Sequence, residues 1–380
     1  MNPNDPELQG LVDRVLTARA NGTQLCIRGG GSKAFYGEAA VGEVLDTRAL
    51  QGTPSYEPTE LVVTTRCGTP LAELEALLAT KGQCLPFEPP HFVTTSTHVG
   101  KHVGKEAAEC GATVGGMVAA GLAGPSRAAV GSVRDYVLGA TMLNGRGEVL
   151  TFGGQVMKNV AGYDVSRLLA GSLGTLGVVL EVSLKVLPLA PATLTLALEM
   201  DEATALMRLN AWGGQPLPLN ASAWWNGSLL LRVSGAVAAV EAARSRIGGE
   251  VVDVDAAAAF WNGIRNQHDE YFVKARAAVQ AGATLWRLSV PQTAPPLALD
   301  GDLLIEWGGA QRWLCSTLPA SAVREATAGM GGHATLFIAQ DKSAGVFAPL
   351  SAPLARIHRE LKASFDPAGV FNPGRIYPGL

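Results

Sequence analysis

Apolar residues take up helical spacing near the start of the chain. Leu8, Leu11, Val12, Val15 and Leu16 fall at i, i+3, i+4, i+7 and i+8, which predicts one buried helical face closed by Asn21-Gly22. Short β-rich runs follow at Gln24–Ile27, Val44–Asp46 and Glu60–Thr65. Thr69-Pro70 opens a second predicted helix with Leu71, Leu74, Leu77 and Leu78 on its buried side and Gly82 at its end. Tyr136–Leu143 and Glu148–Phe152 flank Asn144-Gly145-Arg146-Gly147, a hairpin sequence. Ser166–Leu169 reads as helical and Gly177–Val186 as strand. This half is mixed α+β, with short strands.

Leu187–Ala192 (LPLAPA) reads as a linker, and beyond it strands alternate with helices. Strands are predicted at Leu194–Met200, Leu229–Val233, Val251-Val252, Leu285–Val290, Leu303–Trp307 and Thr335–Ala339. Helices are predicted at Glu202–Trp212, Ala236–Ile247, around Phe260–Phe272, near Val323–Met330 and at Pro353–Phe365. That alternation suits a substrate or cap domain built on an antiparallel sheet. A chain of 380 residues has room for two domains of roughly 100–200 residues each.

Composition changes the picture at glycine. There are 45, of which 27 lie between Gly10 and Gly177, with no G-X-Y period, so the first half needs a cause for its tight backbone. The net charge is −3 and no Lys/Arg run occurs, which argues against a nucleic-acid partner. Cys26, Cys67, Cys84, Cys110 and Cys315 are scattered and never form a CxxC pair, so neither a disulfide framework nor a metal or iron–sulfur site is expected. MNPNDPELQG lacks a basic n-region and an apolar h-region, and Cys110–Ser126 is too rich in glycine for a membrane span. The expectation is a cytoplasmic protein.

Candidate chemistry begins at Arg28-Gly29-Gly30-Gly31-Ser32-Lys33. Three glycines after a strand let backbone amides approach an anion such as a pyrophosphate; the other reading is a tight solvent turn. The run is neither a GxGxxG opening a helix nor a Walker A loop. Thr113–Gly121 is a second small-residue run, open to a flat ligand or to close helix packing, and Gly171–Val178 is a third. Three such loops suggest one long, diphosphate-containing ligand. His98 and His102 stand four apart, a spacing that on a helix faces a metal, but HVGKHVGK reads as a surface insertion and no metal is expected.

In order, RGGGSK, TVGGMVAAGLAGP, GSVRDYVLG, VMKNVAGYDVSRLLAGSLGTLGVV and FDPAGVFNPGRIY resemble the FAD-binding fold of the vanillyl-alcohol-oxidase (PCMH) type. Within it the chain resembles the E-subunit family of bacterial glycolate oxidases. The resemblance implies a PCMH-type FAD-binding domain of two α+β subdomains (1–190), a smaller α/β cap domain with an antiparallel sheet (191–362), and a return segment (363–380). It implies that Gly29, Gly30, Gly31, Ser32 and Lys33 cradle the FAD pyrophosphate, with Thr113, Gly115, Gly116, Met117 and Gly121 close to the cofactor. Ser132 and Asp135 would lie at the diphosphate and ribose, Gly171, Thr175, Gly177 and Val178 at the adenine end, and Tyr163 and Asp164 would shape the same site. Some relatives carry a flavin-bonding histidine in the first loop, where this chain has Gly31-Ser32, so the FAD is expected to be non-covalent.

The same resemblance implies a larger D-type flavoprotein partner, an iron–sulfur F-type partner that passes electrons onward, and membrane contact only through them. Oxidising a 2-hydroxy acid needs a cation for the carboxylate and a base for the hydroxyl proton, with the flavin as acceptor. Arg287, Arg312 and His333 are the candidates, each of them also readable as structural. A histidine-rich metal site, frequent in hydroxy-acid dehydrogenases of this fold, has no counterpart here: His333 stands alone, and His268 and His358 fall in helix-like segments. That departure argues against independent catalysis by this chain and favours a subunit of a glycolate-oxidising complex; the alternatives are a free-standing 2-hydroxy-acid (D-lactate-like) dehydrogenase and a flavin-free scaffold.

Overall fold

The computed structural model describes residues 4–92, 111–154 and 164–380. The first helix, Pro6–Asn21, is set by its ends as well as its face. Asp5 accepts from the Glu7 amide, Pro6 occupies the first turn, and Gly22 closes the helix in the left-handed conformation. Leu8, Leu11, Val15 and Ala18 are buried on one side. They pack near a small parallel pair, Leu25–Arg28 with Glu43–Asp46.

A five-stranded antiparallel sheet follows, in the order Ser55–Glu57, Val62–Arg66, Val178–Lys185, Val137–Leu143 and Val149–Gly153. The near-continuous apolar run of Val178–Lys185 is explained by its central place with neighbours on both sides. Asn144 makes the predicted hairpin turn, its Oδ1 accepting from the amides of Arg146 and Glu148. Leu71–Ala79 and Val114–Ala120 are helices that bury Leu71, Leu74, Val114 and Val118 in the same core.

Leu187–Pro188 does not swing free as a linker. It pairs with Gln83–Cys84, and the next strand begins at Ala192. That strand enters an eight-stranded antiparallel sheet ordered Glu250–Val251, Ala192–Glu199, Ser228–Gly235, Leu219–Trp225, Asp302–Glu306, Gln311–Ser316, Thr284–Ser289 and His333–Ile338. Leu219–Trp225 and Gln311–Ser316 were not foreseen. The single helix expected around Phe260–Phe272 is two, Val254–Asn266 and Glu270–Gln280. Gln267 turns left-handed (φ 56°) and Asp269 caps the second by accepting from the Phe272 amide.

The chain end returns to the first strand. After the helix Ala352–Phe365, Phe371 bridges Leu25 in parallel. Asn372 Oδ1 accepts from the Ile27 amide at 2.8 Å while its Nδ2 donates to Leu173 O at 2.6 Å. Buried Lys362 donates to Thr175 O, Phe371 O and Asp366 Oδ2. The tail therefore ties the first glycine loop to the third. Among the described residues no helix is long and apolar enough to cross a membrane.

Candidate functional site

The first glycine run leaves the strand Leu25–Arg28 and becomes a cradle of free donors. The amides of Gly29, Gly30, Gly31, Ser32 and Lys33 find no acceptor among the described residues. Gly31 takes φ +75°, the kind of left-handed step that in anion-binding nests turns successive amides towards one point. The loop is braced from outside: Arg375 donates to Ala34 O and Tyr36 O, and Lys342 to Phe35 O and Gly37 O. Lys33 extends its ammonium to Ser32 Oγ and lies 5.7 Å from the Phe92 ring. Burial, with the Arg265 charge adding to it, pushes this amine down to about 7. A bound anion would hold it protonated.

The three glycine-rich runs meet. A Cβ on Gly29 would stand 2.3 Å from Thr113 Oγ1, so only glycine lets the first run lie on the second. Thr113 caps the helix Val114–Ala120, its hydroxyl accepting from the Gly116 amide. The third run adjoins the C-terminal end of this helix: the Gly171 amide donates to Val118 O and that of Leu173 to Ala119 O. Contiguous loops, the first of them with free amides beside the half-buried Lys33 amine, fit an extended diphosphate ligand.

The other wall comes from the eight-stranded sheet, and its register decides which side chains converge. Glu306 pairs with Gln311, Gln311 with Ser289, and Ser289 with His333. Two residues along, Trp313 pairs with Arg287 and Arg287 with Thr335. Period-2 alternation puts Glu306, Gln311, Trp313, Arg287 and His333 on one face. That face meets the glycine loops: Arg287 donates to Tyr36 Oη and its guanidinium lies 5.7 Å and 5.9 Å from the Tyr36 and Phe337 rings. Arg287 has no acidic partner among the described residues. Glu306 is 3% exposed, and its Oε2 accepts from Trp313 Nε1 at 2.6 Å and Gln311 Nε2 at 3.0 Å. Burial pushes this carboxyl up to about 7, against the pull of those two hydrogen bonds. A cavity of about 20 Å³ lies in the seam, with Phe92 and Leu122 on one side and Arg287, Glu306 and Gln311 on the other.

Comparison with known proteins bears on the family and the fold. The profile of the FAD binding domain family matches residues 7–153. The chain is 47% identical over 372 residues to the glycolate oxidase subunit GlcE of Escherichia coli (strain K12), covering 98% of each. This chain belongs to the GlcE family of glycolate oxidase subunits. It is also 28% identical over 173 residues to the glycolate oxidase subunit GlcD of Bacillus subtilis (strain 168), a match spanning 46% of this chain and 32% of that one. An alkyldihydroxyacetonephosphate synthase structure shares the fold with a TM-score of 0.62 and 14% identity, over 96% of this chain and 74% of that one. The architecture is thus α+β with a PCMH-type FAD-binding domain, and FAD is its cofactor.

Within this GlcE-family chain, the expected cation Arg312 does not reach the site. It pairs with Leu288, alternates with Gln311 and Trp313, and so faces the far side of the sheet. There it is 0% exposed and spends its N–H groups on Gly309 O, Pro295 O and Ala294 O, a structural part. His333 begins an edge strand on the correct face; burial, then the Arg287 charge, lowers its imidazole. Ser132 and Asp135 hold one another, the Asp135 Oδ2 accepting from the Ser132 amide and hydroxyl. These bonds, the backbone one foremost, keep Asp135 ionised.

Met117 is 1% exposed and packs in the core, as does Val178, while the Gly115 amide donates to Cys67 O, which is close helix packing. Thr175 donates to Ser172 O, and a Cβ on Gly177 would meet Leu143 O at 2.5 Å. Asp164 pairs with Arg167 at 2.7 Å. Tyr163, His98 and His102 lie outside the described residues. The sequence reading missed Glu306, Gln311, Trp313 and Tyr36. A lone acid in the apolar run Leu303–Trp307 was the one visible signal.

Proposed function

We propose that this chain is the FAD-binding subunit of a glycolate oxidase (glycolate dehydrogenase) complex that oxidises glycolate to glyoxylate. The observation that carries the reading is the 47% identity to a glycolate oxidase subunit across the whole chain. The free amides of the first loop support it, because ordering three glycines around an empty turn is costly. Gly29–Lys33 would hold the FAD pyrophosphate, with Thr113, Gly116 and Gly121 beside it and Gly171 and Thr175 towards the adenine end. FAD supplies a two-electron acceptor for a 2-hydroxy acid, and the protein supplies orientation and charge. Arg287, without an acidic partner among the described residues and backed by aromatic rings, would bind the substrate carboxylate, with His333 adding polarity on the same face.

The reading assigns 1–190 to FAD binding, 191–362 to the cap and 363–380 to the return segment. A D-type flavoprotein would be its partner, and an iron–sulfur F-type subunit would carry electrons away, since Cys26, Cys67, Cys84 and Cys315 are free thiols scattered over the fold. The assembly would work in the cytoplasm, touching the membrane through partners alone. Anaerobic mixing of the FAD-loaded chain with glycolate and with D-lactate, alone and with the D-type subunit, tests this. Flavin bleaching by glycolate in the assembly supports it. Rapid bleaching of the isolated chain by D-lactate and not glycolate makes it a free-standing dehydrogenase instead.

A further inference from the structure

Four successive carbonyls follow the first glycine loop, and none of them accepts from a backbone amide. Those of Ala34 and Tyr36 accept from Nη2 of Arg375, and those of Phe35 and Gly37 from Nζ of Lys342. No other donor reaches them among the described residues. Backbone carbonyls need partners, and here two cations from distant parts of the chain supply all of them. In a planar trans peptide each carbonyl points away from the next amide, so pinning these carbonyls also fixes the amides of Phe35 to Glu38. Two consecutive turns pass that order back into the loop. The Ala34 amide donates to Gly31 O and the Tyr36 amide to Lys33 O.

The Lys342 side of this clamp belongs to the eight-stranded sheet. Its turn is stitched to the edge strand His333–Ile338 by the Leu336 amide, which donates to Val346 O. Arg324, on the helix Ala320–Gly329, fixes the same turn by donating to Ala344 O and Gly345 O. The contact continues beside Lys342. The Val346 amide donates to Glu38 Oε1 at 2.6 Å, and the Phe337 and Phe347 rings lie 5.4 Å and 5.6 Å from that of Tyr36. Burial, then the Arg375 charge, lowers the Lys342 amine, with Glu38 opposing. An anion held by the loop would offset the repulsion between the two cations.

We propose that Lys342 is a positioning residue for FAD: from the edge of the eight-stranded sheet it presets the glycine loop. The proposal rests on reading Gly29–Lys33 as the diphosphate cradle. A loop already held by Lys342 gives up less conformational freedom when FAD binds. Linkage makes the effect reciprocal: a loop held by FAD keeps Phe35 O and Gly37 O aimed at Lys342, and so steadies the sheet edge.

The test compares amide exchange of the full chain with and without FAD, beside FAD affinity from flavin fluorescence. In wild type, FAD is expected to slow exchange in residues 29–37 and also in 333–347, with the Val346 amide the sharpest reporter. Lys342→Met removes both bonds and keeps the length of the side chain. It should weaken FAD binding about fivefold or more. FAD should then protect the loop without protecting 333–347. Lys342→Arg carries a fork that can serve two carbonyls, as Arg375 does, and should recover most of the affinity. A part in folding alone would lower the melting temperature of Lys342→Met and leave its FAD affinity and protected residues as in wild type; that result overturns the proposal. So does wild-type protection confined to the loop, or a Lys342→Arg chain that binds FAD no better than Lys342→Met. The wild-type comparison needs no variant and decides alone if Lys342→Met does not fold. Residues 29–33 keep the two readings apart. A chain that takes up no FAD, or binds it without protecting them, contradicts the loop reading, whereas protection there and none at 333–347 contradicts the role of Lys342 alone.

Discussion

At Gly29 one methyl group decides whether two loops can touch. An alanine there would put its Cβ 2.3 Å from Thr113 Oγ1, so the loop must lift off the helix cap or Thr113 must turn away. Gly29→Ala should cost about 1–3 kcal/mol and lower FAD occupancy, read by melting temperature and by flavin absorbance per chain. Adding Thr113→Ala should restore part of both. At Glu306 the quantity at stake is a proton. Its carboxyl binds a proton more tightly folded, about 7, than at the usual 4.5, so the stabilising term is complete below pH 4.5 and lost as pH rises through 7. Glu306→Gln removes that dependence. Its melting temperature should match wild type at pH 5 and exceed it at pH 8, by up to roughly 3 kcal/mol of stability. A constant gap across that range contradicts the burial argument.

Elements were legible where a single periodicity governed them. The face of Pro6–Asn21 and the Asn144 turn follow from local residue choice; the turn is found as read, and the face too except at Leu16, which is exposed where burial was expected. Gln311–Ser316 was missed because its buried positions include Gln311 and Arg312, polar groups that only a strand deep in a sheet can satisfy. Leu219–Trp225 was missed because Asn220 and Ser222 interrupt the apolar run. The helix break at Gln267 was written as His268-Asp269-Glu270, a cap followed by acid, but the apolar spacing continued through it. The return segment shows an element acting at a distance. Asn372, at φ 40°, joins Ile27 to Leu173, and alanine would lose both bonds and the tolerance for that conformation. Asn372→Ala should destabilise by about 1–3 kcal/mol and raise amide exchange in residues 27–37 and 171–177 together. Faster exchange in just one of the two loops would show that the tail does not couple them.

For the whole molecule, the candidate site is a seam. Its first wall was readable, because free amides at Gly29–Lys33 require glycine in a way the sequence displays. Its second wall was not, because Glu306, Trp313 and Arg287 share a face through the register of three strands. The same register sends Arg312, an equally plausible cation in the sequence, to the opposite side. The seam is held by ion pairs from both walls, Glu88 with Arg232 and Glu75 with Arg265, which join the cap to the first half of the chain beside the proposed cofactor site. Everything proposed for glycolate depends on that site holding FAD. The most direct measurement is the visible absorption spectrum of the purified chain after reconstitution, followed by denaturation and filtration. The account predicts flavin bands equivalent to about one FAD per chain, all of it released into the filtrate; a chain without flavin bands, or with flavin that stays bound to the denatured polypeptide, would contradict it.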